Sequence, residues 1–197
     1  MIAAAVDGGD LSMKAWLSRN WVAGAGFMAA ALLLAAPLVS GAGRGVLLIF
    51  LASPLYMLHQ IEEHTGDRFR TYVNRVVFGG AEALTVSDVL WINLPGVWGI
   101  NLIAVYVAWL AGAEWGLAAA YLILVNGIAH LCMAARFRSY NPGLGTGALL
   151  FIPFGLAVAL LVPASPGQHA LALAIAVAVH AAIIVRLRAN VAHAHGR

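Results

Sequence analysis

Six predominantly apolar stretches, near residues 21–43, 45–63, 88–111, 115–135, 146–164 and 168–187, constrain this chain more than any other feature of its sequence. Each is close to the ~20 residues that carry an α-helix across ~30 Å of hydrocarbon. Sheet edges would leave backbone groups unpaired there, so the stretches predict helices and an all-α, polytopic transmembrane bundle. Composition agrees: 62% of the 197 residues are hydrophobic and 10% charged, and the mean hydropathy is +0.89. That exceeds what a soluble domain of this length can hide in its core.

Short connections such as 40–44, 112–114 and 163–167 predict antiparallel hairpins. The one long connection, 64–87, carries Arg68, Arg70 and Arg75 among Tyr72, Val73, Val76, Val77 and Phe78, a pattern that predicts an interfacial helix over about 66–79. This divides the chain into an N-terminal segment 1–20, a six-span bundle 21–187 and a tail 188–197. Neither an internal repeat nor a separate soluble domain is visible.

The net charge is +3, with 11 Lys and Arg against 8 Asp and Glu. Basic residues clustered on a soluble face would suggest nucleic acid, but here they sit between apolar runs, where they set orientation and meet anionic head groups. Lys14 and Arg19, then Arg68, Arg70 and Arg75, then Arg136 and Arg138, then Arg186, Arg188 and Arg197 all fall on one side, and Arg44 falls opposite. The positive-inside rule therefore predicts cytoplasmic N and C termini in a bacterial-type inner (plasma) membrane. A competing reading makes the first apolar run a secretory signal cleaved near Ala42, although the run is longer than the ~7–15 residues of a signal core. The single cysteine, Cys132, lies in an apolar run and excludes both a disulfide and a cysteine-based zinc site within one chain.

Polar residues inside apolar runs are costly and call for a reason. The densest group is His59-Gln60-Ile61-Glu62-Glu63-His64, at the end of span two. At ~100° per residue, His59, Glu62 and Glu63 share one face of a helix and His64 points away from it. Span four offers Asn126 and His130, spaced i to i+4, and span six offers His180. His130 and His180 each precede an arginine by six residues, and His59 and Glu63 precede Arg68 by nine and five. Three spans running the same way thus carry histidine and carboxylate at nearly one depth, about 9 Å inside the boundary at ~1.5 Å per residue.

Imidazole and carboxylate on facing helices form a ligand set for zinc or iron. The expected ligands are His59, Glu63, His130 and His180, with Glu62 as general acid or base and Asn126 orienting a ligand or oxyanion. Plain structural readings compete: His180 bonded to a backbone carbonyl of its own surroundings, and Glu62, Glu63 and His64 as a solvated helix end paired with Arg68 or Arg70. Asn93, near the same end of span three, is a further candidate for the cluster. Asn141 and Pro142 read as the N-cap and first residue of span five. Gly143, Gly145, Thr146 and Gly147 offer backbone that an anionic head group could approach.

His59-x-x-Glu62-Glu63, followed by Asn126-x-x-x-His130 and Tyr140-Asn141-Pro142-Gly143, resembles the HXXEE-domain family of integral membrane proteins over about residues 45–187. The resemblance implies a multi-span membrane protein suspected, from its polar motif, to be an enzyme. Two function classes follow from the residues. One is a metal-dependent hydrolase or oxidoreductase acting on a lipid or other hydrophobic small molecule near the cytoplasmic leaflet. The other is a proton- or cation-coupled transporter using the same cluster. Against transport, the cluster lies near one surface and paired broken helices are not evident.

Overall fold

A computed structural model describes residues 12–195; residues 1–11 of the expected N-terminal segment and Arg197 of the expected tail lie outside the described residues. The described residues form helices and no strand. Six helical stretches are long and apolar enough to cross a membrane: Met13–Ala42, Arg44–Val77, Val86–Ala111, Ala113–Phe137, Leu144–Leu161 and Pro166–Ala194. Leu34, Leu38, Leu110 and Leu160 are each more than three-quarters exposed, as suits side chains that meet lipid.

The first helix, α1 (Met13–Val39), starts with Ser12 as its N-cap, so residues 13–20 are already helical. It packs along α2 (Arg44–His64), which also touches α5 (Gly99–Ala111), α6 (Ala118–Phe137) and α8 (Ile152–Leu161). Half of the apolar window of α2 is buried, against 11% for α1, so α2 is the central helix and its polar residues face protein. The main core joins Ile49, Ala52 and Tyr56 of α2 to Ala104 and Ala108 of α5, Leu122 and Ile123 of α6, and Phe151 and Val158 beyond them. Small residues such as Ala104, Ala108, Ala119 and Ala120 let the backbones approach, which drives helix association where lipid is as apolar as leucine.

After α2 the chain turns through Gly66 and Asp67, both with left-handed φ (66° and 61°), into α3 (Arg68–Tyr72) and a π-helical turn, Val73–Val77. Glycine supplies the first of these conformations at no steric cost. Val73 is buried in a second cluster with Trp21, Leu84, Val89, Leu90 and Leu187, and Phe69, Tyr72 and Phe78 pack against it. This amphipathic segment thus covers the end of the bundle with its apolar side.

Two more helices widen into π turns at prolines. Pro95 has no N–H to give the carbonyl of Trp91, and Ile92–Trp98 is π-helical between α4 (Val86–Trp91) and α5. Gly147–Phe151 is π-helical between the short α7 (Leu144–Thr146) and α8, which has Pro153 in its first turn. The last helix, α9 (Pro166–His195), packs on α6 and is pinned to α4 by Arg186 Nε to Asp88 Oδ1 (3.0 Å) and Asn190 Nδ2 to Asp88 Oδ2 (2.8 Å).

Candidate functional site

The last turn of α2 presents His59 and Glu63 one above the other, and α6 presents His130 beside them. All three are at least nine-tenths buried. One ligand atom from each lies within 4.8 Å of the others, an arrangement that could hold a metal ion. His59 Nε2 is 3.5 Å from Glu63 Oε2, and His130 Nε2 is 3.5 Å from Glu63 Oε1. Neighbouring ligands of a tetrahedral zinc stand about 3.3 Å apart if each bond is ~2.05 Å. These two spacings are therefore near that of neighbouring ligands and long for a hydrogen bond, while the three ligand atoms as a set lie within 4.8 Å of one another.

The hydrogen-bond network assigns the tautomers. Glu62 accepts from four donors: Gly145 N (3.0 Å), Thr146 N (2.7 Å), the Thr146 hydroxyl and the Tyr140 hydroxyl. The Thr146 hydrogen is thereby committed to Glu62, so Thr146 Oγ1 accepts from His59 Nδ1–H at 2.7 Å. His59 Nε2 is left with its lone pair and no hydrogen-bond partner. On the other side Asn141 Nδ2 donates to the His130 carbonyl (3.0 Å), which turns Asn141 Oδ1 towards His130 Nδ1–H (2.6 Å). His130 Nε2 is likewise a lone pair. Two lone pairs and a carboxylate converge, and no Lys or Arg pairs with Glu63 among the described residues. Buried carboxylates need a cation or equivalent donors. Phe151 and Phe69 stack at 4.2 and 5.5 Å from the His59 and His130 rings and keep the group dry.

Gly143 closes the site from above. Its φ is +96°, and a Cβ there would stand 2.5 Å from His130 Cε1 and 2.8 Å from His59 Cε1. Only glycine lets the 138–143 loop lie this close to both rings. The Tyr140 phenol, at the loop's exposed edge, is pushed above its usual range, first by the hydrogen bond it gives Glu62 and then by partial burial.

Several expectations change here. His180 does not join the group: its Nδ1 bonds the Ala176 carbonyl of its own helix at 2.8 Å. A histidine can satisfy itself one turn back, which equal depth in sequence does not reveal. Asn126 makes no hydrogen bond to the cluster, and its Oδ1 has no partner. Glu62, expected beside Glu63 as general acid or base, has its carboxylate taken up by the 145–146 backbone. The anion that the glycine-rich segment receives is therefore Glu62 itself. Asn141 is no N-cap: α7 begins after Gly143, and the Asn141 side chain is spent on His130. His64, which helical phase points away, reaches Glu63 Oε2 at 3.1 Å because the flexible Glu63 side chain swings to it. Asn93 does arrive, with Nδ2 3.2 Å from His64 Nε2 and Oδ1 accepting from Gln60. Sequence reasoning missed Gln60 and gave Thr146 no role towards His59. Their only signal was a polar side chain in an apolar run.

Residues 50–158 match the family described as "Protein of unknown function with HXXEE motif". The chain belongs to the HXXEE family. The match takes in His59, Glu62, Glu63, His130, Asn141 and Thr146, and stops short of α9 and His180. No curated protein and no solved structure shows significant similarity to the chain.

The motif divides its labour: His59 and Glu63 face the convergent group, while Glu62 fixes His59 through Thr146. Thr146→Val keeps the shape but breaks that link. Loss of such a supporting contact typically lowers metal affinity ~10–100-fold. Competition with a chelator of known affinity measures this for zinc. An affinity equal to wild type would show that the tautomer of His59 is fixed by something else.

Proposed function

We propose that this chain is a membrane-embedded, metal-dependent enzyme in which His59, Glu63 and His130 hold one zinc or iron ion and the substrate is a lipid or other hydrophobic small molecule. The observation that supports it most is the pair of unprotonated Nε2 atoms aimed at one buried carboxylate, each with its Nδ1 already engaged. Two histidines and one carboxylate form the set used by hydrolytic zinc and by non-haem iron, with positions left open for reactants. Such an ion would supply Lewis acidity or oxygen chemistry. The protein's own part is to hold the ligands: Thr146 and Asn141 orient the rings, Glu62 anchors Thr146, and Phe69 and Phe151 exclude water. In this reading Glu62 is a positioning residue, and Asn126, with its free Oδ1, is left to orient a reactant. The basic residues support placing the site at the cytoplasmic leaflet of the plasma membrane, with both termini cytoplasmic.

Stripping the detergent-purified protein with a chelator and returning zinc or iron(II) tests the proposal. At a hundredfold excess over Kd, binding adds about 2.7 kcal/mol. For a chain of this size that is a rise of roughly 5–10 °C in melting temperature. The reloaded protein is then incubated with a total lipid extract and the lipids weighed by mass spectrometry. A lipid converted only by the reloaded form supports the enzyme; no melting shift with either metal contradicts the site, and a shift without conversion contradicts the activity.

A further inference from the structure

The convergent group is sealed: His59, Glu63 and His130 are 0%, 5% and 1% exposed. An ion or polar reactant reaches it only if part of the wall moves, and it does not arrive through hydrocarbon, where charge is costly. Most of the wall is helical. His64 belongs to α2, Phe69 to α3 and Phe151 to the π turn before α8, and moving any of them breaks a helix's own hydrogen bonds. Residues 139–143, whose Gly143 lies over both rings, belong to no helix.

This loop joins the end of α6 to α7, and both of its ends are left-handed, with φ 49° at Arg138 and 96° at Gly143. Glycine takes that conformation freely, whereas at Arg138 it is a strain that an opened loop gives up. Arg136 and Arg138 mark the aqueous boundary of α6, so the loop has water on its outer side. Two contacts hold it at that edge. Tyr140, 58% exposed, donates its hydroxyl hydrogen to Glu62 of α2, and Ser139 Oγ stands 3.4 Å from the Tyr72 hydroxyl of α3. Water competes for both. Underneath, Asn141 bonds His130 and its carbonyl accepts from Leu144 N at 3.0 Å, so the loop comes to rest with His130 oriented.

We propose that residues 139–143 form a lid that opens to admit the ion and polar reactant from water, with Tyr140 as its latch on Glu62. Loops that close over a site in this way both exclude water and gate entry. The inference rests on the proposed metal centre for what is admitted, while the motion itself is read without metal.

Tyr140→Phe tests it, since it keeps the ring and removes the latch. Loss of one exposed hydrogen bond to a carboxylate should raise the open population about tenfold. The amides of Leu144, Gly145 and Thr146 are bonded to Asn141 and Glu62 when the lid is closed. In the metal-free full chain in detergent, their hydrogen–deuterium exchange should quicken about tenfold, and exchange in α8 should not change. Stopped-flow uptake of zinc and its release to a chelator should both quicken by the same factor, leaving Kd unchanged because the closed form still predominates. Exchange or zinc rates equal to wild type overturn the lid. A weaker Kd with unchanged uptake also overturns it, by making Tyr140 a support for the ligands. Faster exchange in the variant, with no zinc uptake by either protein, upholds the lid and contradicts the metal centre alone.

Discussion

Glu63→Gln is expected to weaken metal binding about a hundredfold without lowering the stability of the metal-free protein. Gln keeps the volume of the buried side chain and replaces a carboxylate oxygen with an amide donor. With the amide oxygen kept towards His64 Nε2, 3.1 Å from Oε2, the amide nitrogen takes the place of Oε1 and faces the His130 Nε2 lone pair 3.5 Å away. One new hydrogen bond is worth about 1 kcal/mol, so the melting temperature without metal should hold or rise slightly. Four-ligand zinc sites bind with roughly 10–16 kcal/mol. An equal share is about 3 kcal/mol per ligand, or roughly a hundredfold in affinity. Melting curves with and without zinc read both quantities. A metal-free Glu63→Gln protein destabilised by several kcal/mol would instead make the carboxylate the partner of charged imidazoles, as breaking one side of a buried pair does.

Gly143→Ala should combine backbone strain with overpacking against two of the three convergent side chains. The left-handed backbone costs a non-glycine residue roughly 1–2 kcal/mol. Its Cβ would press on His130 Cε1 at 2.5 Å, His59 Cε1 at 2.8 Å and His130 Nε2 at 2.9 Å, and overpacking of this kind adds about 1–3 kcal/mol. The sum, about 2–5 kcal/mol, is large against a usual total of ~5–15 kcal/mol. The cheaper response is for the loop to lift. Lifting releases Asn141 from His130, and Tyr140, Gly145 and Thr146 from Glu62. Metal affinity should therefore fall more than a hundredfold, together with a lower melting temperature. Gly24→Ala in α1 is the control: a Cβ there meets nothing within 4 Å, and alanine is the better helix former. Equal behaviour of the two variants would deny the loop its part in closing the site.

The spans were legible in the sequence because hydrocarbon thickness and backbone hydrogen bonding leave the chain few choices. The meeting of His59, Glu63 and His130 was legible too, since antiparallel hairpins carry residues of equal depth to one level. Depth says nothing of rotation about a helix axis. His180 lies at that depth, yet it bonds its own helix, and Asn126 shares a face with His130 without bonding the cluster. The supporting residues were hidden for a different reason. Asn141 and Thr146 stand in a segment whose Asn-Pro-Gly pattern has a sufficient local explanation as a helix start. Their partners are 11 and 87 residues away, at His130 and His59. Glu62 and Glu63, adjacent and chemically identical, part company because one meets backbone donors and the other meets imidazoles. Only the fold separates them.

The metal centre is tested most directly by elemental analysis of detergent-purified wild type, grown with zinc and iron supplied, beside His59→Ala, Glu63→Gln, His130→Ala and His180→Ala. About one zinc or iron ion per chain is expected in wild type and in His180→Ala, and none in the other three. A folded wild-type protein free of both metals, or metal retained when His59, Glu63 or His130 is replaced, would contradict the site.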